Sequence, residues 1–185
     1  MNFISETKLF VGAFLKNRKD VGSVISSSSF LARKMINDPS FANAGNIVEL
    51  GPGLGCVTEE IVRRMHSEAV LTLVEINPDF CDELRKRFEE PRIRVLNISA
   101  LEMSKFVREP VDYIISGIPI ANLSDVKQSE LFDAIRDALA PAGVYVQFQY
   151  SLLSLRLLRK HFHSVDIRFT LFNIPPAFVY VCHKS

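Results

Sequence analysis

The fold of this chain is decided by residues 47–55, which read Ile-Val-Glu-Leu-Gly-Pro-Gly-Leu-Gly. An apolar strand runs directly into a glycine-rich turn, and a helical pattern follows over roughly residues 57–66. Glycine permits a tight turn and lets the backbone approach a ligand closely. The start of a helix offers free N–H groups and a positive dipole end to an anion. The segment predicts a ligand-binding turn, although an ordinary connecting turn has the same appearance.

A second acid strengthens the ligand-binding interpretation. The next strand candidate, Val70–Glu75, ends in a glutamate 20 residues after Gly55. This is the position at which a carboxylate accepts the two hydroxyls of a ribose. Together, the turn and the acid predict a cofactor that contains a nucleoside.

The spacing of the glycines discriminates between such cofactors. A dinucleotide fingerprint would need a glycine at Cys56, whereas this chain has Gly51, Gly53 and Gly55 with Glu49 two residues ahead of them. The pattern therefore predicts S-adenosylmethionine. Its carboxylate would meet the helix start, and Glu49 would meet its ammonium directly or through water.

The remainder of the chain alternates strand and helix patterns, which predicts an α/β fold with a mostly parallel sheet and right-handed crossovers. The helix candidates are roughly 57–66, 79–89, 127–139 and 151–161. Residues 171–176 are too few for a helical crossover, so the last two strands are expected to form an antiparallel hairpin. The strand candidates are Asn46–Leu50, Val70–Glu75, Ile93–Leu96, Tyr113–Ile115, Val144–Gln149, Val165–Thr170 and Ala177–Cys182.

Two helix candidates precede the sheet, at roughly residues 3–16 and 29–37. We expect residues 1–40 to be an extension of a single domain whose body is 41–185. The first helix has an apolar stripe that includes Phe3, Phe10 and Phe14, with lysines on or near its other face. This stripe either enters a lipid interface with its lysines toward anionic head groups or covers the sheet as a core helix.

Composition excludes several other classes of protein. Of 185 residues, 48% are hydrophobic and 23% charged, which is typical of a globular chain and not of a disordered one. The net charge of +1 is spread unevenly, with basic ends that suit phosphates or are simply solvated. The three cysteines form no C-x-x-C pair, so neither zinc nor disulfides are indicated, and we expect no metal and a cytoplasmic location.

Glu49–Gly55 together with Glu75 resembles the class I S-adenosylmethionine-dependent methyltransferases. The resemblance implies a Rossmann-like seven-stranded sheet whose last strand is antiparallel, with helices on both faces. After the fourth strand the chain reads Ser116-Gly117-Ile118-Pro119, where amino-methyltransferases of this class carry Asn-Pro-Pro-Tyr-like loops that orient the amine.

Further segments are similar to short bacterial phospholipid N-methyltransferases, which methylate phosphatidylethanolamine. They are residues 14–17, 22–32, 112–122, 147–150 and 173–180. The resemblance implies a phospholipid substrate and a peripheral enzyme at the inner face of the membrane, held to the anionic surface by its N-terminal helix. It assigns Ser116, Gly117 and Tyr150 to catalysis, Ile118, Pro119 and Tyr180 to the substrate, and Glu49, Gly51, Gly53, Gly55, Glu75, Ile76, Ser99 and Ala100 to the cofactor.

The chain departs from this pattern at two serines. Ser99 stands where the family usually has an aspartate near the adenine amine, and a hydroxyl accepts a hydrogen bond there without charge assistance. Ser29 stands where an arginine is common. Ser27 and Ser28 remain available to meet a phosphate or to cap a helix.

Two other functions stay open at this point. An rRNA adenine N6-methyltransferase shares the topology, but Ile120 stands where a base-stacking aromatic is expected, and the small basic surplus argues against nucleic acid. A protein that binds the nucleoside without catalysis is the second alternative, suggested by Ser99.

Overall fold

A seven-stranded sheet organises the part of the chain that the computed structural model describes, residues 30–170 and 176–185. The order is β3-β2-β1-β4-β5-β7-β6, with β1 to β5 parallel and β7 antiparallel to both neighbours. The predicted α/β class, the seven strands and the closing hairpin are confirmed. The strands are β1 (Asn46–Leu50), β2 (Val70–Glu75), β3 (Ile93–Asn97), β4 (Val111–Ser116), β5 (Leu139–Gln149), β6 (Ser164–Thr170) and β7 (Ala177–His183).

Helices follow the strands as the sequence predicts, and two of them begin at clear capping residues. They are α1 (Cys56–Arg64), α2 (Pro78–Arg87), α3 (Asp125–Ala138) and α4 (Leu155–His161), and residues 30–35 are also helical. The side chain of Asn77 accepts a hydrogen bond from the N–H of Asp79 at 2.9 Å, and a proline follows it at the first helical position. Ser124 caps α3 in the same way.

The helices cover both faces of the sheet and divide the core into two layers. On one face, residues 31–36, α1 and α2 pack on apolar side chains such as Ile47 and Leu73. On the other face, α3 and α4 pack on Val48, Ile114 and Tyr145. Burial on both faces explains why the first strands are continuously apolar.

The strands that contribute to the site all end on one side of the sheet. The parallel strands β1, β2, β4 and β5 end there at Leu50, Glu75, Ser116 and Gln149. Because β6 and β5 are both antiparallel to β7, β6 runs parallel to β5 and ends at Thr170 on the same edge. We call this side of the molecule the carboxyl edge.

The helix predicted over 151–161 is four residues too long, since α4 begins at Leu155. Residues 151–154 form a turn in which the N–H of Leu155 donates to the carbonyl of Leu152 at 3.1 Å. Leu152 and Leu153 are exposed, so they have no packing surface that would hold them in a helix. The helix predicted over 3–16 lies outside the described residues. Among the helices that the structure does describe, none is long and apolar enough to cross a membrane.

Candidate active site

The turn between β1 and α1 has a left-handed backbone at each of its glycines, with φ angles of 69° at Gly51, 58° at Gly53 and 85° at Gly55. Gly55 is also required by packing, since a Cβ there would lie 2.6 Å from a ring carbon of Phe88. A Cβ on Gly53, by contrast, would have no heavy atom within 4 Å. Gly53 therefore borders open space, and a ligand can approach its backbone.

Glu75 ends β2 beside this turn, and the backbone holds its carboxylate from two sides. Oε2 accepts a hydrogen bond from the N–H of Gly53 at 3.1 Å, and Oε1 accepts one from the N–H of Asn77 at 2.8 Å. A carboxylate has about four acceptor positions, so two remain for other donors. The predicted ribose acid is thus a fixed acceptor at the glycine turn.

Glu49, near the end of β1, is buried, and its Oε2 accepts a hydrogen bond from the hydroxyl of Thr58 at 2.6 Å. Burial raises the pKa of the Glu49 carboxyl to about 8, the Thr58 hydrogen bond opposes this shift, and the Glu75 carboxylate adds to it. Within residues 30–170 and 176–185, no basic side chain forms an ion pair with Glu49. A cationic group brought by a ligand would favour the ionised form.

The loop after β4 approaches the glycine turn so closely that no Cβ fits between them. The N–H of Gly117 donates to the carbonyl oxygen of Leu50 at 2.8 Å. A Cβ on Gly117 would lie 2.9 Å from the carbonyl oxygen of Gly51. The contact lies where the strand order reverses between β1 and β4, which is where α/β sheets bind their ligands.

Side chains of β4 and β5 hold this loop in place. The buried Ser116 accepts a hydrogen bond at Oγ from the N–H of Ile118 at 3.3 Å. Gln147 accepts at Oε1 from the hydroxyl of Tyr145 at 2.7 Å and donates from Nε2 to the carbonyl of Ile118 at 3.0 Å. The loop that is predicted to orient the amine is therefore fixed by a network that reaches across the sheet.

Residues 47–143 match the family model described as a methyltransferase domain, and this span includes the glycine turn, Glu75 and the loop after β4. The chain belongs to the class I S-adenosylmethionine-dependent methyltransferases.

Two curated relatives of this methyltransferase differ in how much of their length it covers. An ornithine lipid N-methyltransferase from Singulisphaera acidiphila is 31% identical over 180 residues, which are 94% of this chain and 94% of that protein. A ribosomal RNA small subunit methyltransferase A from Dehalococcoides mccartyi is 26% identical over 147 residues, which are 77% of this chain but 48% of that protein.

A solved structure agrees with the fold. The N-methyltransferase NodS from Bradyrhizobium japonicum WM9, in complex with S-adenosyl-l-homocysteine, aligns with a TM-score of 0.69. The alignment covers 90% of this methyltransferase and 89% of that chain, at 17% identity.

S-adenosylmethionine is the cofactor of this methyltransferase, and the residues present fit it. Glu75 has free acceptor positions beside Gly53 for ribose hydroxyls, and the start of α1 offers N–H groups to a carboxylate. Glu49 is a buried acid that forms no ion pair with the part of the chain that the structure describes, which suits an ammonium group. Among the described residues, no group of three or more His, Cys, Asp or Glu side chains is arranged to hold a metal.

The remaining residues predicted for the cofactor lie at the ends of β2 and β3. Ile76 follows Glu75 directly and is half-buried. The hydroxyl of Ser99 accepts a hydrogen bond from the N–H of Leu101 at 3.3 Å and caps the 3-10 helix that begins at Ala100. Ser99 thus has a structural partner, and its contact with adenine stays a prediction.

The residues predicted for the acceptor divide into accessible and buried ones. Tyr150 is exposed and packs edge-on against Phe148 with ring centroids 5.9 Å apart. Pro119 is half-buried and directly precedes a 3-10 helix. Tyr180 is buried and donates its hydroxyl to the carbonyl of Ser151 at 2.8 Å. In this arrangement, Tyr180 supports the turn after β5.

Sequence reasoning missed three polar residues of the site: Thr58, Gln147 and Gln149. Gln149 lies two residues beyond Gln147 on the same face of β5, and its buried Nε2 has no hydrogen-bond partner among residues 30–170 and 176–185. The alternation Gln-Phe-Gln in residues 147–149 was the available signal, because it places two amides on one face at the carboxyl edge.

Proposed function

We propose that this methyltransferase transfers methyl groups from S-adenosylmethionine to the amine of a lipid head group at a membrane surface. The observation that carries the proposal is the match to an ornithine lipid N-methyltransferase along 94% of both chains. Phosphatidylethanolamine is the acceptor predicted from the sequence, and ornithine lipid is the acceptor in the name of the relative. Both lipids serve as acceptors in the experiment that tests the proposal.

The chemistry that the cofactor supplies is a methyl group already activated on a sulfonium, so the protein contributes positioning and desolvation. Glu75 would hold the ribose and Glu49 the ammonium. The contact between Gly117 and Gly51 supports this division of roles, because it brings the acceptor loop to the cofactor turn.

On the acceptor side, the carbonyl of Gly117 and the hydroxyl of Ser116 would orient the amine, and Tyr150 would border it. The attacking nitrogen needs its lone pair, so the head-group ammonium must first lose a proton. We therefore expect the transfer rate to rise with pH until the amine is neutral. Gln149 is a further candidate, since its Nε2, which has no partner in the described part of the chain, can donate to an oxygen of the head group.

The experiment is a transfer assay with labelled S-adenosylmethionine and the purified full-length chain. Separate vesicles contain phosphatidylethanolamine, ornithine lipid or phosphatidylcholine, which has no methyl-accepting amine. We expect label in the lipid extract with at least one of the first two and none with the third. Label in neither, with cofactor binding intact, would refute the lipid acceptor and favour a different small amine.

Ribosomal RNA is the alternative acceptor, because a ribosomal RNA small subunit methyltransferase A matches 77% of this chain with 48% of its own length. The side chain of Ile120, where a base-stacking aromatic was expected, is fully buried in the core. We therefore expect no label in rRNA that is offered under the same conditions. Label in rRNA and not in lipid would reverse this ranking.

The N-terminal segment would hold the enzyme at an anionic membrane surface. We expect that removal of residues 1–18 lowers sedimentation with anionic vesicles and leaves cofactor binding in solution intact. Raised salt should weaken vesicle binding, since each basic residue near such a surface contributes about 1 kcal/mol. Unfolding of the truncated chain would indicate instead that the predicted helix is part of the core.

A further inference from the structure

Three large apolar side chains are exposed on the carboxyl edge, beside the predicted acceptor site. Leu152 and Leu153 follow β5 and are 46% and 80% exposed, and Phe169, at the end of β6, is 48% exposed. We call these three residues the apolar rim. Tyr150, which is predicted to border the amine, lies two residues from Leu152.

The rim lies on the same side of the molecule as the active site. Gln149 of β5 and Phe169 of β6 both pair with Phe178 of β7, which places the two parts of the rim on either side of one strand. The rings of Phe169 and Phe178 are 5.0 Å apart. A flat surface that touches the rim would therefore also face the ends of β4 and β5, where the acceptor loop lies.

The leucines of the rim are held in their exposed position by the fold. The carbonyl of Ser151 accepts the hydroxyl of Tyr180 at 2.8 Å, and the carbonyl of Leu152 accepts the N–H of Leu155 at 3.1 Å. Leu158, further along the same leucine-rich run, is fully buried. The run thus divides into a packed part and an exposed part, and the exposed part is not used in the packing of the residues that the structure describes.

Basic residues flank the rim. On α4, Arg156, Arg159 and Lys160 are exposed, and no acidic residue occurs between positions 138 and 165. On the other side, Phe169 lines an open cleft of about 440 Å³ whose charged lining side chains are all basic, among them Arg33 and Lys34. Apolar side chains between cations match the two layers of an anionic bilayer surface, with acyl chains below and phosphates at the level of the cations.

We propose that the apolar rim and its flanking cations dock on an anionic lipid bilayer, with Leu152 and Leu153 inserted at the level of the head groups. The link between docking and catalysis rests on the proposed function, in which the enzyme takes its acceptor lipid from the bilayer. Docking through the rim would place the acceptor loop next to the head groups. It would also provide a contact separate from the N-terminal segment.

The test compares two acidic substitutions in the full-length chain. Leu153→Glu lies in the rim, and Phe106→Glu is a matched control, since Phe106 is 55% exposed and precedes β4 at the opposite edge. Circular dichroism and cofactor calorimetry establish that both variants are folded. Sedimentation is measured with vesicles of phosphatidylcholine that contain about 30% phosphatidylglycerol. About a third of the lipid is then anionic, which gives the vesicles a negatively charged surface.

We expect Leu153→Glu to weaken vesicle binding at least tenfold and Phe106→Glu to change it less than twofold. Arg156→Glu should weaken binding to the anionic vesicles and leave binding to pure phosphatidylcholine unchanged. Equal binding by Leu153→Glu and the wild-type chain would overturn the proposal, as would an equal loss with Phe106→Glu. An Arg156→Glu variant that binds the anionic vesicles as strongly as the wild-type chain would refute the part assigned to the cations.

A second measurement separates this proposal from the proposed function. Methyl transfer is assayed to a short-chain amino lipid dispersed as monomers, where no bilayer is required. We expect Leu153→Glu to retain wild-type transfer to this lipid and to lose transfer to vesicles. A wild-type chain that methylates no lipid amine would refute the proposed function, whereas rim-dependent vesicle binding would still stand on its own measurement.

Discussion

The two halves of the active site are built by different means. On the cofactor side, residues 47–60 and 70–77, a glycine turn and an acid are set by short stretches of chain, and backbone N–H groups hold Glu75. On the acceptor side, residues 116–122 and 145–150, the loop is positioned by side chains of a different strand. The first half requires a local pattern, and the second requires a particular set of buried polar contacts.

This difference indicates where the specificity of the enzyme resides. A cofactor shared by many enzymes can be bound by a turn that any sequence with the right glycines adopts. An acceptor is distinguished by the polar groups that line its pocket, because buried donors left without partners oppose the wrong ligand. Substitutions on the two sides should therefore affect different measured quantities.

Glu75→Ala should have the largest effect. The ribose hydroxyls would lose a charged acceptor, and the N–H groups of Gly53 and Asn77 would lose their partner. We expect the cofactor Kd, measured by calorimetry, to rise about 100-fold or more, since hydrogen bonds to a charged group contribute about 1.5–3 kcal/mol each. The exposed Glu68→Ala is the control. Unchanged affinity in Glu75→Ala would remove the predicted ribose site.

Gly117→Ala tests whether the two sides can be separated. The added Cβ would lie 2.9 Å from the carbonyl oxygen of Gly51. Because the N–H of Gly51 donates to the carbonyl of Val74 at 2.9 Å and so holds the glycine turn in place, we expect the acceptor loop to move instead. The transfer rate should fall at least about tenfold and the free energy of unfolding by about 1–3 kcal/mol, with a smaller change in cofactor Kd. Gly45→Ala, with 3.7 Å to its nearest neighbour, is the control. An equal loss of cofactor affinity would mean that the two loops act as one unit.

The cofactor side was predictable from sequence because its signals are local. Strand ends, glycine spacing and the position of Glu75 all lie within 29 consecutive residues, 47–75. β1 and β2 have the predicted bounds for the same reason, since continuous apolar runs end at a glycine or an acid.

The acceptor side was less predictable because its contacts are long-range. Gln147 donates to the carbonyl of Ile118, which is 29 positions away. The burial of Tyr180 depends on its place in β7, which lies between β5 and β6 in the sheet. Leu152 and Leu153 fit a helical pattern as well as Leu158 does. Only the packing of the domain decides which leucines are inside.

Glu49→Gln probes the electrostatics of the cofactor side. The pKa of about 8 in the folded chain lies above the usual value of 4.5, so the folded state binds the proton more tightly than the unfolded state. Between pH 4.5 and 8 the unfolded chain loses this proton first, and stability falls as pH rises. We expect Glu49→Gln to raise the free energy of unfolding at pH 8 by at most about 5 kcal/mol, at about 1.4 kcal/mol per pKa unit, and to leave it nearly unchanged at pH 4.5.

Cofactor affinity should respond to Glu49 in the opposite direction. An ammonium group needs the ionised carboxylate. With a pKa of about 8, the ionised fraction of Glu49 grows from about 1% at pH 6 to about a quarter at pH 7.5, so wild-type affinity should rise by up to about 25-fold. The Glu49→Gln variant should bind more weakly at pH 7.5 and show a flatter profile. A profile that is identical in both proteins would place the ammonium away from Glu49.

Gln149→Leu should have the smallest effect and the most selective one. The buried Nε2 has no partner in the described residues, so its removal takes away a desolvated donor and breaks no hydrogen bond. We expect the free energy of unfolding to stay constant or rise by about 1 kcal/mol. If the amide donates to a head-group oxygen, KM for the lipid should rise several-fold, with cofactor Kd unchanged.

Gln147→Leu is the matched control for this prediction, because it changes the same residue type on the same face of β5. Its amide accepts from Tyr145 and donates to Ile118, so its loss leaves buried groups without partners. We expect it to lower the free energy of unfolding by about 1–3 kcal/mol. Opposite effects on stability would mean that one glutamine maintains the acceptor loop while the other is kept for the ligand. A drop in stability with Gln149→Leu, with an unchanged KM, would make both glutamines structural and leave head-group recognition to the loop alone.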